Sequence, residues 1–227
     1  MITYKLHLIR HGMTTGNAEH RCVGGRTDIP LCQDGVEELR VLGETYEYPF
    51  AQKVYSSPML RARQTAEILY PDSEPVMIEG LRECDLGDFE GKSILELKDN
   101  EDYLKWVEGK AGPVNGETAA QLAERIVAAF GDVLSDMMQS KVTSAAVVSH
   151  GLVMMGLLAM CGYPKREMRL WAAGNGRGYT VQTSASMWMR DRCFEVVDTV
   201  PAGSPESGSF FEDEAGKEDA DQPEADE

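Results

Sequence analysis

The stretch Tyr4-Lys5-Leu6-His7-Leu8-Ile9, followed by Arg10-His11-Gly12-Met13-Thr14-Thr15-Gly16-Asn17, decides the fold class. Tyr4, Leu6 and Leu8 alternate with Lys5 and His7, which is the two-residue period of a strand. The polar, glycine-bearing run after Ile9 breaks that period, so an Arg and a His sit where a strand ends and a turn begins. A second segment repeats the design: Ala145-Ala146-Val147-Val148 is apolar and Ser149-His150-Gly151 follows. Open α/β sheets place ligand sites at the carboxyl ends of their strands. Two strands that each end in His-Gly therefore aim two imidazoles at one crevice.

The segments between them alternate in kind. Asp34 precedes a helical pattern with Val36, Leu39, Leu42 and Tyr46 on one side, stopped by Pro49. Lys53-Val54-Tyr55 reads as a short strand. Ser57 is expected to cap a helix over Met59–Leu69, with Pro58 at its first position. Arg61 falls in the first turn, where the helix dipole favours anions. Two readings stand: it shares an anion with the exposed helix N–H groups, or it makes a surface ion pair with an acid such as Glu67. Val76-Met77-Ile78 is the next strand candidate. The loop Leu81–Gly91 carries acids at 83, 85, 88 and 90. They are either a solvated acidic loop or include one carboxyl turned inward, and the pattern alone does not choose.

Ile94–Val107 holds one or two short helices. A long helix starts near Glu117, with Leu122, Ile126, Ala129, Phe130, Val133, Leu134 and Met137 at spacings of three and four. Val142–Val148 is continuously apolar, as a central parallel strand covered on both faces is. Leu152–Met160 is apolar nearly all round and reads as a buried helix. Tyr179–Thr183 and Cys193–Val200 look like two late strands, with Arg190-Asp191 as the turn between them. This order predicts one α/β domain over residues 1–200, a three-layer sandwich with a mostly parallel central sheet. Residues 201–227 are Gly, Ser, Pro and acids, expected to be a disordered tail.

Formal net charge is −16, of which Glu206–Glu227 alone supplies −9 from ten acids and one lysine. The remaining −7 argues against broad nucleic-acid binding, which needs clustered positive charge, but leaves room for a local arginine cluster on a small anion. The five cysteines are odd in number and show no C-x-x-C pair, so neither a disulfide framework nor a zinc site is indicated, and a reduced, cytoplasmic protein is expected. No signal peptide is recognisable. The longest apolar run, Gly151–Cys161, is too short to span a bilayer. No metal and no cofactor are expected.

Taken together, Arg10-His11-Gly12 with Thr14 and Asn17, Asp28-Ile29-Pro30-Leu31, Ser56-Ser57-Pro58-Met59-Leu60-Arg61-Ala62, Leu81-Arg82-Glu83, Gly116-Glu117-Thr118 and Ser149-His150-Gly151 resemble the histidine phosphatase superfamily, also called phosphoglycerate mutase-like. The resemblance runs from Tyr4 to about Val200. It implies the phosphoglycerate mutase-like fold and a covalent phosphohistidine mechanism, with His11 as nucleophile. Histidine suits that role because it is substantially neutral at pH 7 and still nucleophilic. The resemblance assigns Arg10, Arg61, Asn17 and His150 to the phosphate, where guanidinium forks match oxygens over which charge spreads. Glu83 matches the acid/base position, protonating the leaving oxygen and then deprotonating water; that dual use requires a pKa raised by burial.

The same likeness marks Thr14, Arg21, Gly24 and Gly25 as a loop bordering substrate. Here that loop is one residue longer than in many relatives, with Gly24-Gly25 doubled. His7 reads as structural. His20, Arg21 and Arg26 either touch substrate or are simply exposed.

The leading expectation is a phosphomonoester hydrolase acting on a small phosphorylated metabolite, as a monomer or small homo-oligomer. A mutase uses the same phosphohistidine but must exclude water under more covering structure. The segment Glu83–Gly116 is short and lacks the tyrosine- and arginine-rich insertion expected of the glycolytic mutases. A non-catalytic phosphate-binding protein is the third reading, and an intact set of nucleophile, arginines and acid argues against it.

Overall fold

Among the described residues, seven strands form one sheet in the order β3-β2-β4-β1-β6-β7-β5. They are β1 (Thr3–Arg10), β2 (Lys53–Ser56), β3 (Val76–Met77), β4 (Ser144–Ser149), β5 (Gly162–Tyr163), β6 (Gly178–Ser184) and β7 (Phe194–Val200). The computed structural model describes residues 2–203; the acidic segment beyond, with Phe210-Phe211, lies outside the described residues. β3, β2, β4 and β1 run parallel, β6 is antiparallel to β1, and β7 is antiparallel to β6. The sheet is thus mostly parallel, as expected, with its reversal at β6.

Helices cover both faces. The helices are α1 (Thr15–Ala18), α2 (Gln33–Thr45), α3 (Leu60–Leu69), α4 (Ile94–Leu97), α5 (Glu101–Val107), α6 (Ala119–Ser140), α7 (Gly151–Cys161) and α8 (Ala185–Asp191). The strand alternation decides which side chains meet which layer. Tyr4, Leu6, Leu8, Ala145 and Val147 join Phe130, Val133, Leu134 and Met137 of α6 and Val153, Met154 and Leu157 of α7 in the larger core. Ile9, Val54, Ala146 and Val148 point the other way, onto Ala62 and Ala66 of α3. Each fully buried Val, Leu, Ile or Phe stabilises by about 1.5–3 kcal/mol. α7 is apolar all round because it is enclosed, and no described helix is long and apolar enough to cross a membrane.

Three local expectations need correction. Ser57 does not cap α3. That helix begins at Leu60 with Met59 as an N-cap lacking a side-chain bond, and Asp28 Oδ1 accepts the Leu60 N–H at 2.7 Å instead. Ser57 still belongs to the line of β2, its N–H bonding the Val148 carbonyl at 2.9 Å. Arg190-Asp191 is not the turn between the last strands. Both lie in α8, which Ser184 caps by accepting from the Met187 N–H, and Trp188 anchors it against Phe130 at 4.7 Å between ring centroids. Arg61 makes no surface pair with Glu67, because its side chain is wholly buried.

Candidate active site

The β1–β4 register builds the centre of the site. Arg10 pairs with Ser149, so the next residue of each strand, His11 and His150, leaves the sheet side by side. The His11 N–H bonds the Ser149 carbonyl at 2.9 Å. The two rings sit 5.1 Å apart between centroids, tilted by 59°. Both are buried. Behind them, the Gly12 N–H donates to Thr65 Oγ1 at 2.8 Å, and Asn175 Nδ2 donates to the His11 carbonyl at 2.9 Å.

The protonation of His11 follows from one contact. Its Nδ1 lies 2.7 Å from the Gly12 carbonyl oxygen. A carbonyl only accepts, so Nδ1 carries the proton. Burial, reinforced by the nearby Arg61 and Arg10 charges, lowers the His11 pKa well below 6.5. The imidazole is neutral at pH 7, and Nε2 keeps its lone pair.

Two guanidiniums flank the imidazoles. Arg10 is held through Nη1 to the Ala173 carbonyl at 2.8 Å; burial lowers its pKa to about 10, which leaves it charged at neutral pH. Arg61, at the second position of α3, donates Nη1 to the Thr27 carbonyl at 2.9 Å and Nη2 to the Gly24 carbonyl at 3.2 Å. Its Nε is buried without a hydrogen-bond partner, as is His150 Nδ1. Buried polar groups are ordinarily bonded, so two orphaned groups beside a neutral His11 fit a tetrahedral anion.

Glu83 is the acid of its loop that turns inward. Oε1 accepts the Cys84 N–H at 2.8 Å, and Oε2 accepts the Leu152 N–H of the first turn of α7 at 3.3 Å. Its pKa is raised: burial outweighs these bonds and the pull of Arg61 and Arg10. The other acids face elsewhere. Asp85 pairs with Arg26 at 2.8 Å, Asp88 accepts from Asn115 at 3.0 Å, and Glu90 binds the Gly24–Thr27 loop.

That loop explains the doubled glycine. A Cβ on Gly24 would lie 2.6 Å from the Cys84 carbonyl oxygen, and one on Gly25 would lie 2.6 Å from that of Glu83. Glycine is required at both positions because the loop packs backbone to backbone on the Glu83 segment. Glu90 fastens it, accepting from Gly24 N at 3.1 Å, Arg26 N at 3.0 Å and Thr27 Oγ1 at 2.6 Å.

The remaining expected site residues fall in two groups. Thr14 and Asn17 form the capping box of α1: Asn17 Oδ1 accepts from Thr14 N and Oγ1, and Asn17 N donates to Thr14 Oγ1. The Thr14 hydroxyl is thereby engaged locally. Arg21 is engaged by Glu19 at 2.7 Å and by the Gly91 carbonyl at 2.9 Å. The sequence alone does not assign Ser57, Asn175 or Glu90 to the site. Ser57 was hidden by its plausibility as a cap, and only the β2–β4 pairing places it beside His150.

Among the described residues, no group of three His, Cys, Asp or Glu is arranged to hold a metal ion. The sequence model of the histidine phosphatase superfamily (branch 1) matches residues 6–193. The chain belongs to that superfamily.

This histidine phosphatase is 32% identical over 153 residues to an uncharacterized phosphatase of Bacillus subtilis (strain 168), covering 66% of this chain and 74% of the relative. It is 29% identical over 177 residues to a probable phosphoglycerate mutase of Enterobacter sp. (strain 638), covering 73% and 80%. The crystal structure of the alpha-ribazole phosphatase of Shigella flexneri superposes with a TM-score of 0.68 at 25% identity, over 90% of this chain and 98% of that one. The fold is that of the family, and the activity is phosphomonoester hydrolysis of the histidine phosphatase type.

Proposed function

We propose that this chain hydrolyses a small phosphorylated metabolite through a phosphohistidine on His11, with Glu83 as proton donor and acceptor. The observation that carries the reading is the Nδ1 bond of His11 to the Gly12 carbonyl, in a ring that burial keeps neutral. It leaves Nε2 as the nucleophilic lone pair.

Nε2 attacks phosphorus, the N–P bond forms and the ester P–O bond breaks. The raised pKa of Glu83 keeps a proton available for the departing oxygen. Arg10, Arg61, His150 and Asn17 hold the phosphoryl oxygens, with Arg61 Nε and His150 Nδ1 as the donors best placed to gain a partner. In the second half, water attacks phosphorus and the N–P bond returns its electrons to Nε2. The Glu83 carboxylate takes the water proton, which regenerates the acid and balances the cycle.

The loop of Gly24 and Gly25, with Arg21 at its outer edge, borders the substrate and sets its shape. The cover between Glu83 and Gly116 consists of the short helices α4 and α5 and a 3-10 turn, which favours entry of water over retention of an intermediate. Five free cysteines suit a reducing compartment such as the cytoplasm. A monomer or small homo-oligomer is sufficient for the site, since every group named here comes from one chain.

The test is an assay of the protein and its His11→Ala variant in excess chelator against a panel of phosphomonoesters that includes 3-phosphoglycerate, following free phosphate and isomerised product. Phosphate release that persists in chelator and disappears in the variant is expected. Isomerisation without comparable phosphate release contradicts the hydrolase reading.

A further inference from the structure

Ser57 sits at the heart of the site without any part in the steps above. Its hydroxyl oxygen lies 2.8 Å from His150 Nε2, and the same oxygen accepts the Met59 N–H at 3.3 Å. Both residues are wholly buried. The pairing is fixed by backbone, since Ser57 N–H bonds the Val148 carbonyl at 2.9 Å and His150 lies two residues after Val148, directly past the end of β4.

Two proton arrangements fit a hydroxyl facing an imidazole. If His150 carried its proton on Nε2, Ser57 Oγ would accept twice, from that ring and from Met59, and its own hydrogen would have no acceptor. Nδ1 would then present a bare lone pair to the phosphate pocket and repel an anion. If Ser57 donates to Nε2, its hydrogen is used, Met59 is served by a lone pair, and Nδ1 carries the proton. Nδ1 is the ring atom left buried without a partner.

We propose that Ser57 is a positioning residue that fixes the tautomer of His150, so that a neutral imidazole presents an Nδ1–H donor to a phosphoryl oxygen. The proposal rests on the pocket assigned to His150 in the proposed function, and it changes how that pocket works. The donor does not depend on an imidazolium. Burial, followed by the Arg61 guanidinium, His11, Arg10 and Arg125, opposes a second proton on the ring and lowers its pKa well below 6.5. A hydroxyl partner supplies the donor without that charge.

The decisive measurement is the ring 15N–1H correlation spectrum of the whole protein at neutral pH. His7, His11, His20 and His150 are its only histidines, so a spectrum of the His150→Gln variant identifies the signals. The expected result is a proton on Nδ1 and a bare Nε2 in His150, with the Nδ1 signal moving when inorganic phosphate is added. In Ser57→Ala the Nε2–H form appears, and kcat/KM falls roughly 10- to 100-fold, by analogy with a metal-bound histidine that loses its outer hydrogen-bond partner. A purely structural role would lower stability without changing the tautomer. Nε2–H or a doubly protonated ring in the unaltered protein overturns the proposal, and so does an unchanged tautomer in Ser57→Ala. If the protein turns over no phosphomonoester while the Nδ1–H form and its response to phosphate are present, the hydrolase reading fails and the tautomer assignment stands.

Discussion

His11 and His150 lie ring beside ring, 5.1 Å apart, because Arg10 faces Ser149 across the β1–β4 ladder. One hydrogen-bond register thus delivers both imidazoles to the same edge of the sheet. A shift of one residue would send both imidazoles to opposite faces. The apolar rows on either side forbid that slip, since Leu6, Leu8 and Val147 would leave the α6–α7 core. Packing far from the chemistry therefore fixes the geometry of the chemistry.

In the proposed cycle, Glu83 holds a proton when the leaving oxygen departs and His11 has lost its second one. The Glu83 pKa lies above 4.5 and that of His11 well below 6.5. For an alkyl phosphate, kcat/KM is expected to fall as pH rises through the Glu83 pKa and to fall on the acid side as Nε2 of His11 is protonated. Glu83→Gln should remove the alkaline limb and slow alkyl esters about 10²- to 10⁴-fold. The first turnover of an activated aryl phosphate should lose far less. Equal loss on both substrates contradicts the role.

Glu90 acts on the pocket at one remove. It ties down Gly24, Arg26 and Thr27, and the carbonyls of Gly24 and Thr27 in turn hold Arg61. Glu90→Gln replaces one accepting oxygen by a donor. Hydrogen bonds to a charged group contribute about 1.5–3 kcal/mol, so inhibition by inorganic phosphate should weaken roughly tenfold or more. Competitive inhibition assays measure it, and an unchanged inhibition constant would show that the loop holds its shape without Glu90.

Much of this was legible in the sequence, for physical reasons. Alternation in Tyr4–Leu8 and the continuous run before Ser149 express burial on one or two sheet faces, so the two central strands and their His-Gly ends could be read directly. Arg61 stood out as a cation against a helix dipole, and its burial resolves that oddity. What escaped were the relationships made by pairing. Ser57 looked like a cap because Ser-Pro before a helix satisfies local rules, whereas the cap comes from Asp28, distant in the chain. The choice of Glu83 among four acids depends on where α7 begins. Arg190-Asp191 reads as a turn because it is polar, while the contact that holds α8, Trp188 with Phe130, joins residues 58 apart in sequence.

His7 offers a test of stability apart from catalysis. It is buried between Thr180 Oγ1 at 3.0 Å and Ser144 Oγ at 3.1 Å. Burial, with a smaller push from Lys5, lowers its pKa from 6.5 to about 4. The unfolded chain takes up a proton below pH 6.5 that the folded chain refuses until about pH 4. Stability present above pH 6.5 is therefore lost as pH falls through that window. Urea unfolding at several pH values should show a shallower loss in His7→Asn than in the parent. Parallel curves would mean that His7 is protonated alike in both states.

The most direct measurement is to quench the protein early in turnover of a 32P-labelled phosphomonoester and find where the label sits. The expected result is an acid-labile, base-stable phosphoryl group on the peptide containing His11, formed before phosphate is released and absent from His11→Ala. Phosphate released by His11→Ala at the parent rate, or turnover with no such adduct at any time, would contradict a phosphohistidine on His11.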